Sequence, residues 1–135
     1  MATSAQHLIA VLTEALADAP LRLAILFGSA ARDALRADSD IDIAILPIDE
    51  MTLSEELRLQ GQLARATGRD VDLVRLDLAD PIVRWRVACE GLVVRSEPDH
   101  EVVRFRARAA LDYADLAPLF EDAMRRYRRH LVEPT

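Results

Sequence analysis

The sequence predicts an α/β (α+β) protein in which a small sheet is flanked by helices. Short apolar runs of strand length alternate with stretches of helical spacing, and no linker or repeat separates them. With 135 residues, of which 51% are hydrophobic, the chain has enough apolar surface for one core. Its charged fraction of 30% and net charge of -6 are ordinary for a globular protein. We therefore predict a single domain over residues 1-135, with a C-terminal helical section at about 99-131.

The first two elements are predicted to be a helix and a buried strand. Apolar residues recur at helical spacing over about 5 to 18, Ser4 is available as an N-cap, and Pro20 follows the end. Leu21 to Phe27 is a short apolar run rich in branched residues. It stops at Gly28, which predicts a sharp turn.

A short helix and a second strand are predicted next. Ser29 opens the run AARDAL, whose composition favours a helix capped by the serine side chain. Strict alternation from Asp40 to Ile45 then predicts a strand. Asp40 and Asp42 share one face of this strand, and Ile41, Ile43 and Ile45 share the other.

The middle of the chain is predicted to form a helix and a third strand. Thr52 or Ser54 caps a helix that continues through Ala66, and Gly68 ends it. RDVDLVRL repeats the polar and apolar alternation, so it predicts a strand with Asp72 on the polar face.

The last third is predicted to be mainly helical. Asp80 followed by Pro81 indicates an N-cap and a first-turn proline, which open a helix through about Glu90. LVVRS predicts a fourth strand at the edge of the sheet. Apolar residues return to helical spacing from Asp99 to His130, and Pro118 is expected to divide this stretch into two helices or to kink one. Core-facing positions are expected at Phe105, Tyr113, Leu116 and Phe120.

The composition excludes several kinds of site. All 17 basic residues are arginine, so Schiff-base chemistry and the phosphate-loop lysine are excluded. A single cysteine, Cys89, allows no internal disulfide, and we expect it to be a packed thiol within an apolar helix. We expect no secretory signal, no membrane span and a cytoplasmic location. The acidic charge also disfavours direct nucleic-acid binding.

The chemistry-bearing residues are three aspartates and a glycine-serine pair. Asp40, Asp42 and Asp72 occupy strand positions that aspartate disfavours, and their mutual repulsion calls for a counter-charge such as a divalent cation. A lone D-x-D usually marks only the solvent face of a sheet. Here Gly28-Ser29 precedes it, after a buried strand and at the start of a helix, where backbone N–H groups bind phosphate.

The segment LFGSAARDALRADSDIDIAIL resembles the signature of the minimal nucleotidyltransferase (MNT) domains of the DNA polymerase β-like nucleotidyltransferase superfamily. The resemblance implies a polymerase β-like fold with a mixed, largely antiparallel sheet. It implies metal-binding and catalytic roles for Asp40, Asp42 and Asp72, and nucleotide binding by Gly28, Ser29, Arg32 and Ser39. Asp33 departs from the family pattern, because relatives often carry glycine there.

The same resemblance implies a reaction. Mg²⁺ (two ions, with Mn²⁺ as an alternative) would be held by the three aspartates, and ATP would be the substrate. Asp72 would help to deprotonate the acceptor hydroxyl, and Arg32 would offset charge on the departing pyrophosphate. Gly28 and Asp40 must then lie at one end of the sheet, which requires their two strands to be antiparallel.

The expected acceptor also comes from the resemblance. The chain is most similar to the MNT-type adenylyltransferase antitoxins of HEPN-MNT toxin-antitoxin systems, which implies transfer of AMP to a tyrosine of a partner HEPN ribonuclease toxin. Two alternatives remain open: a small-molecule nucleotidyltransferase, and a non-catalytic antitoxin that acts by occlusion. Four arginines near the C-terminus either complement the helix dipole or form a docking surface for an acidic partner. They are Arg125, Arg126, Arg128 and Arg129.

Overall fold

The computed structural model describes residues 4–132, which contain one four-stranded mixed sheet. The strand order is β3-β2-β1-β4; β1 pairs antiparallel with β2 and with β4, and β2 pairs parallel with β3. The predicted mixed, largely antiparallel sheet is confirmed, as is the edge position of the fourth strand. The strands are β1 (Leu21–Phe27), β2 (Ile41–Pro47), β3 (Val71–Arg75) and β4 (Leu92–Ser96).

Local capping explains where the α-helices begin. The side chains of Ser4, Thr52 and Asp80 each accept a hydrogen bond from a backbone N–H in the first turn of the helix that follows. These are the caps predicted from the sequence, with Thr52 rather than Ser54 in the second case. The helices are α1 (Ala5–Ala15), α2 (Leu53–Thr67), α3 (Pro81–Glu90) and α4 (Glu101–Val132).

The sheet is covered by helices on both faces, as its strand sequences require. Ile41, Ile43 and Ile45 pack with α1 and α2 in one cluster of buried residues. Ala44 faces the other way and packs with Val87 of α3 and Phe105 of α4. Asp42 shares the face of Ala44, because side chains two residues apart point the same way from a strand. The alternation in β2 therefore places this carboxylate on the α3 side of the sheet.

The turn after β1 differs from its prediction. Gly28–Arg32 forms a 3-10 helix, and its first residue is Gly28 rather than a residue after Ser29. No side chain caps it, so the predicted serine cap is wrong. Asp33 ends it in the left-handed region, with φ of 56°, a conformation that favours glycine. The Asp33 carboxylate accepts a hydrogen bond of 2.7 Å from the backbone N–H of Ala5 and so ties this turn to α1.

Other predictions need correction. The first helix ends at Ala15. Of the two outcomes expected at Pro118, division into two helices is wrong, because α4 continues through this residue as one element. Cys89 is exposed rather than packed. Phe120 is 53% exposed, whereas Phe105 is buried as predicted. None of the helices in residues 4–132 combines the length and apolar character that crossing a bilayer requires.

Arg95 in β4 holds the end of α1 in place, which gives a test of the fold away from the candidate site. Its guanidinium donates hydrogen bonds of 2.5 and 2.6 Å to the carbonyl oxygens of Leu16 and Ala19, in the turn between α1 and β1. We expect Arg95→Ala to lower the free energy of unfolding by about 2 kcal/mol. Urea denaturation measures this change. Arg104→Ala, on an exposed position of α4, is the control, and equal stability of the two variants would contradict the capping role.

Candidate active site

The centre of the site is a direct contact between Gly28 and Asp42. Strand pairing sets Phe27 opposite Asp42, so the residue that follows β1 lies beside this carboxylate. Gly28 has φ of 70°, a region in which glycine is favoured. A Cβ built on Gly28 would overlap a carboxylate oxygen of Asp42 and lie 3.1 Å from its Cγ. The backbone of the turn therefore lies directly against the Asp42 carboxylate, and a residue with a side chain at position 28 would collide with it.

Asp72 is brought to Asp42 by the parallel pairing of β2 and β3. The two residues are Cα partners in this pair, and neighbouring strands lie about 4.8 Å apart. Partners in register point to the same face of a sheet. The structure thus places Asp42 and Asp72 side by side on one face of the sheet.

The electrostatics of the site follow from this crowding. The pKa of Asp42 is raised above its usual value, first by partial burial and then by the negative charge of Asp72. Asp40 and Glu90 raise this pKa further, whereas Arg86 lowers it. Ionised carboxylates gathered without enough positive charge attract a cation.

Asp40 and Ser39 lie on the approach to β2. Asp40 is exposed and stands immediately before the strand rather than inside it, which corrects its predicted position. It borders a surface recess together with Asp70 and Asp72. The Ser39 hydroxyl accepts a hydrogen bond of 3.3 Å from the N–H of Arg36, so its observed contact is with its own turn.

Ser29 and Arg32 lie on the 3-10 helix beside Gly28. Ser29 is half-buried, and the first N–H groups of a helix have no acceptor within it. The Arg32 side chain is 57% exposed and lies 3.9 Å from the carboxylate of Glu90. Both residues are therefore on the element that meets the Asp42 carboxylate.

Arg86 and Glu90 on α3 were not identified from the sequence. The guanidinium of Arg86 lies 5.6 Å from the centre of the Phe27 ring, and it forms an ion pair of 3.3 Å with Glu90. Glu90 also faces Arg32, so it links the two arginines across the end of the sheet. The i, i+4 spacing of Arg86 and Glu90 indicates an ordinary surface ion pair. Only the packing of α3 on β1 shows that they border the site.

The carboxylates of the site are ligands that suit Mg²⁺, although the described residues alone do not form a complete metal site. Within residues 4–132, no three His, Cys, Asp or Glu side chains are close enough to hold one ion. Asp42 and Asp72 nevertheless lie on adjacent strands in register, and partial burial followed by the negative charge of Asp72 raises the pKa of Asp42. A hard divalent cation would stabilise the two ionised carboxylates in this environment. Such ions commonly complete their shell with water and substrate phosphates.

The family model described as Polymerase beta, Nucleotidyltransferase matches residues 11–100. Among curated proteins, the protein adenylyltransferase MntA of Shewanella oneidensis is 38% identical over 71 residues, which are 53% of this chain and 51% of that protein. The chain thus aligns with about half the length of this relative. MntA of Aphanizomenon flos-aquae is 26% identical over 107 residues, which are 71% of each chain.

The matches to solved structures cover more of the chain than the matches to curated sequences do. A crystal structure of a toxin-antitoxin with AMP-PNP has a TM-score of 0.69 and 27% identity, and covers 86% of this chain and 98% of the other. A structure of a tri-AMPylated Shewanella oneidensis HEPN toxin in complex with MNT antitoxin has a TM-score of 0.64 and 26% identity. It covers 89% of this chain and 98% of the other. The polymerase β-like fold predicted from the sequence is thereby confirmed.

Proposed function

Because the chain belongs to the polymerase beta nucleotidyltransferase family, we propose that it is a protein adenylyltransferase antitoxin acting as one minimal domain in the cytoplasm. It transfers AMP from ATP to a tyrosine hydroxyl of a partner HEPN ribonuclease toxin and so neutralises the toxin. The observation that carries the proposal is the placement of the Gly28 turn directly against Asp42, with Asp72 beside it. A phosphate-binding turn and a pair of carboxylates are the two parts that nucleotidyl transfer needs.

The triphosphate binds at the turn. The backbone N–H groups at the start of the 3-10 helix and the Ser29 hydroxyl donate hydrogen bonds to phosphate oxygens. Arg32 and Arg86 leave Glu90 and pair with the same anion, since guanidinium groups bind phosphate well. These groups provide positive charge in a chain that has no lysine.

The transfer is an in-line displacement at the α-phosphorus of ATP. The tyrosine oxygen forms a bond to this phosphorus, the bond between it and the oxygen bridging to the β-phosphate breaks, and pyrophosphate leaves. Asp72 accepts the proton of the hydroxyl, and Arg32 offsets the charge on the leaving group. Asp40, Asp42 and Asp72 would hold two Mg²⁺ ions, which supply Lewis-acid stabilisation of the attacking and leaving oxygens.

The acceptor assignment is supported by the relatives. Two curated relatives are protein adenylyltransferases, and one structural relative is an MNT antitoxin in complex with a tri-AMPylated HEPN toxin. A toxin-antitoxin structure of the same fold contains AMP-PNP, an ATP analogue, which supports ATP as the donor.

Intact-mass spectrometry of the partner toxin tests the proposal. The HEPN protein co-expressed with this chain is incubated with it, ATP and Mg²⁺, and a mass gain of one or more AMP units is expected. Omission of Mg²⁺ or the change Asp72→Asn is expected to abolish the gain. The matched control is Asp49→Asn, the same chemical change on an exposed residue beyond the opposite end of β2, which is expected to keep the activity.

Other outcomes discriminate the alternatives. A toxin that is bound and silenced without any mass gain would replace transfer with occlusion. Absence of both binding and mass gain would refute the antitoxin assignment and point to a small-molecule acceptor.

A further inference from the structure

Glu90 joins two arginines that belong to different elements of the site. Its carboxylate lies 3.3 Å from the guanidinium of Arg86, one turn earlier on α3, and 3.9 Å from that of Arg32 on the 3-10 helix. Arg86 also lies over the ring of Phe27, the last residue of β1. The three charged side chains therefore form a chain of ion pairs beside the turn that begins at Gly28.

The backbone that carries Glu90 is held in place by its neighbours. Gly91 follows Glu90 and packs so closely on β1 that a Cβ there would overlap the side chain of Ile25. The carbonyl oxygen of Gly91 accepts a hydrogen bond of 3.3 Å from Arg106 of α4. Because β1 and α4 both hold this end of α3, the Glu90 carboxylate stays within reach of the turn.

The charged groups themselves are open to solvent. The side chains of Arg32 and Arg86 are 57% and 55% exposed, and that of Glu90 is 32% exposed. Ion pairs at such exposure contribute little to stability, so they are easily exchanged. Phosphate binds a guanidinium through two oxygens, as a carboxylate does. A phosphate group at the turn can therefore replace Glu90 on both arginines while the backbone stays where it is.

The balance of charge around the site supports this exchange. Four carboxylates meet two guanidinium groups at this end of the sheet: Asp40, Asp42, Asp72 and Glu90 with Arg32 and Arg86. Glu90 and Arg86 lie close enough to Asp42 to shift its pKa in opposite directions. The three aspartates are the groups assigned to metal ions, which leaves Glu90 as the carboxylate that faces the arginines.

We propose that Glu90 competes with the triphosphate for Arg32 and Arg86, which lowers the affinity of the site for ATP and for pyrophosphate. This inference rests on the nucleotide binding proposed above. Glu90 holds both arginines until phosphate replaces it, and it returns to them as pyrophosphate leaves. Its negative charge also repels the phosphate anion. Glu90 is thus a positioning residue, which acts on the substrate through the two arginines.

Isothermal titration calorimetry of the full chain in Mg²⁺ tests the competition, with AMP-PNP and with pyrophosphate as separate ligands. Glu90→Gln keeps the size of the side chain and removes its charge, so it is expected to bind each ligand about 5-fold more tightly. A residue that only supports the structure would not give tighter binding when it is changed. Unchanged or weaker binding by Glu90→Gln would overturn the proposal, because Glu90 would then hold the arginines in their binding position.

Glu14→Gln is the matched control. Glu14 is exposed on α1, which packs on the face of the sheet opposite to α3, and the variant has the same net charge as Glu90→Gln. It is expected to bind both ligands with the affinity of the wild type. Equal gains for the two variants would show that net charge alone is responsible and would overturn the proposal.

Arg86→Gln tests whether the effect of Glu90 passes through the arginines. Alone, this change is expected to weaken AMP-PNP binding several-fold. In the Arg86→Gln background, Glu90→Gln is expected to give less than half of its gain, because residues that share an interaction have non-additive effects. An undiminished gain would mean that Glu90 only repels phosphate, and competition for Arg86 would be refuted.

The same titrations separate this inference from the proposed function. A wild type that binds neither ligand would refute both. A wild type that binds both ligands, with no gain in Glu90→Gln, would refute the competition alone. Tighter binding by Glu90→Gln without any AMP transfer to the HEPN protein would support the competition and refute the transfer.

Discussion

Asp42→Asn is expected to abolish AMP transfer while making the metal-free protein more stable at neutral pH. Asn is nearly isosteric with Asp but has no charge, so it removes an anionic ligand for Mg²⁺ and lowers kcat by about 1,000-fold. In metal-free buffer the same change removes the repulsion between Asp42 and Asp72. A residue retained for folding alone would show the opposite effect on stability.

The pH dependence has a defined sign. The pKa of Asp42 is higher in the folded state than its usual value of 3.8, so the folded state binds this proton more tightly than the unfolded state. The contribution of protonated Asp42 to stability is present below pH 3.8 and is lost as pH rises through the folded pKa. The stability gain of Asp42→Asn is therefore expected to grow with pH across this window.

Thermal unfolding in EDTA and in Mg²⁺ measures these effects, beside a transfer assay. Mg²⁺ is expected to raise the unfolding midpoint of the wild type more than that of Asp42→Asn, because a ligand stabilises only the state that binds it. Asp49→Asn is again the control for loss of one carboxylate. A lower midpoint for Asp42→Asn in EDTA would mean that Asp42 is a structural residue.

The sequence alone was sufficient where local rules decide the structure. The alternation in β2 and β3 predicted which residues share a face of each strand, and the caps at Ser4, Thr52 and Asp80 predicted where three helices begin. Because Gly28 follows one strand and Asp42 lies in the next, antiparallel pairing was enough to bring them together. The centre of the site is thus encoded in about fifteen consecutive residues.

The remaining features depend on contacts between distant segments. Arg86 reaches the site because α3 packs beneath β1, and no spacing within α3 indicates this. Phe120 has the periodicity of a core residue, but the described fold provides no layer to cover it. Periodicity predicts that a face will be buried and does not say which surface covers it.

Gly28→Ala is also expected to lose most of the transfer activity, but the cause is steric. Alanine at a φ of 70° costs about 1 kcal/mol of backbone strain, and its methyl group would overlap the Asp42 carboxylate. The carboxylate or the turn must then move. We expect stability to fall by about 2 to 3 kcal/mol in total and transfer to fall by at least about 100-fold.

Gly68→Ala separates the two causes. Gly68 has nearly the same φ, 68°, yet a Cβ there meets no atom within 4 Å. Its alanine variant is expected to lose only about 1 kcal/mol and to keep full activity. Urea denaturation and the transfer assay on both variants give the comparison. If Gly28→Ala matched Gly68→Ala in both measurements, the contact between the turn and Asp42 would not be needed for activity. If only Gly28→Ala loses activity while remaining folded, the space between this turn and this carboxylate is what positions the phosphate beside the metal-binding oxygens.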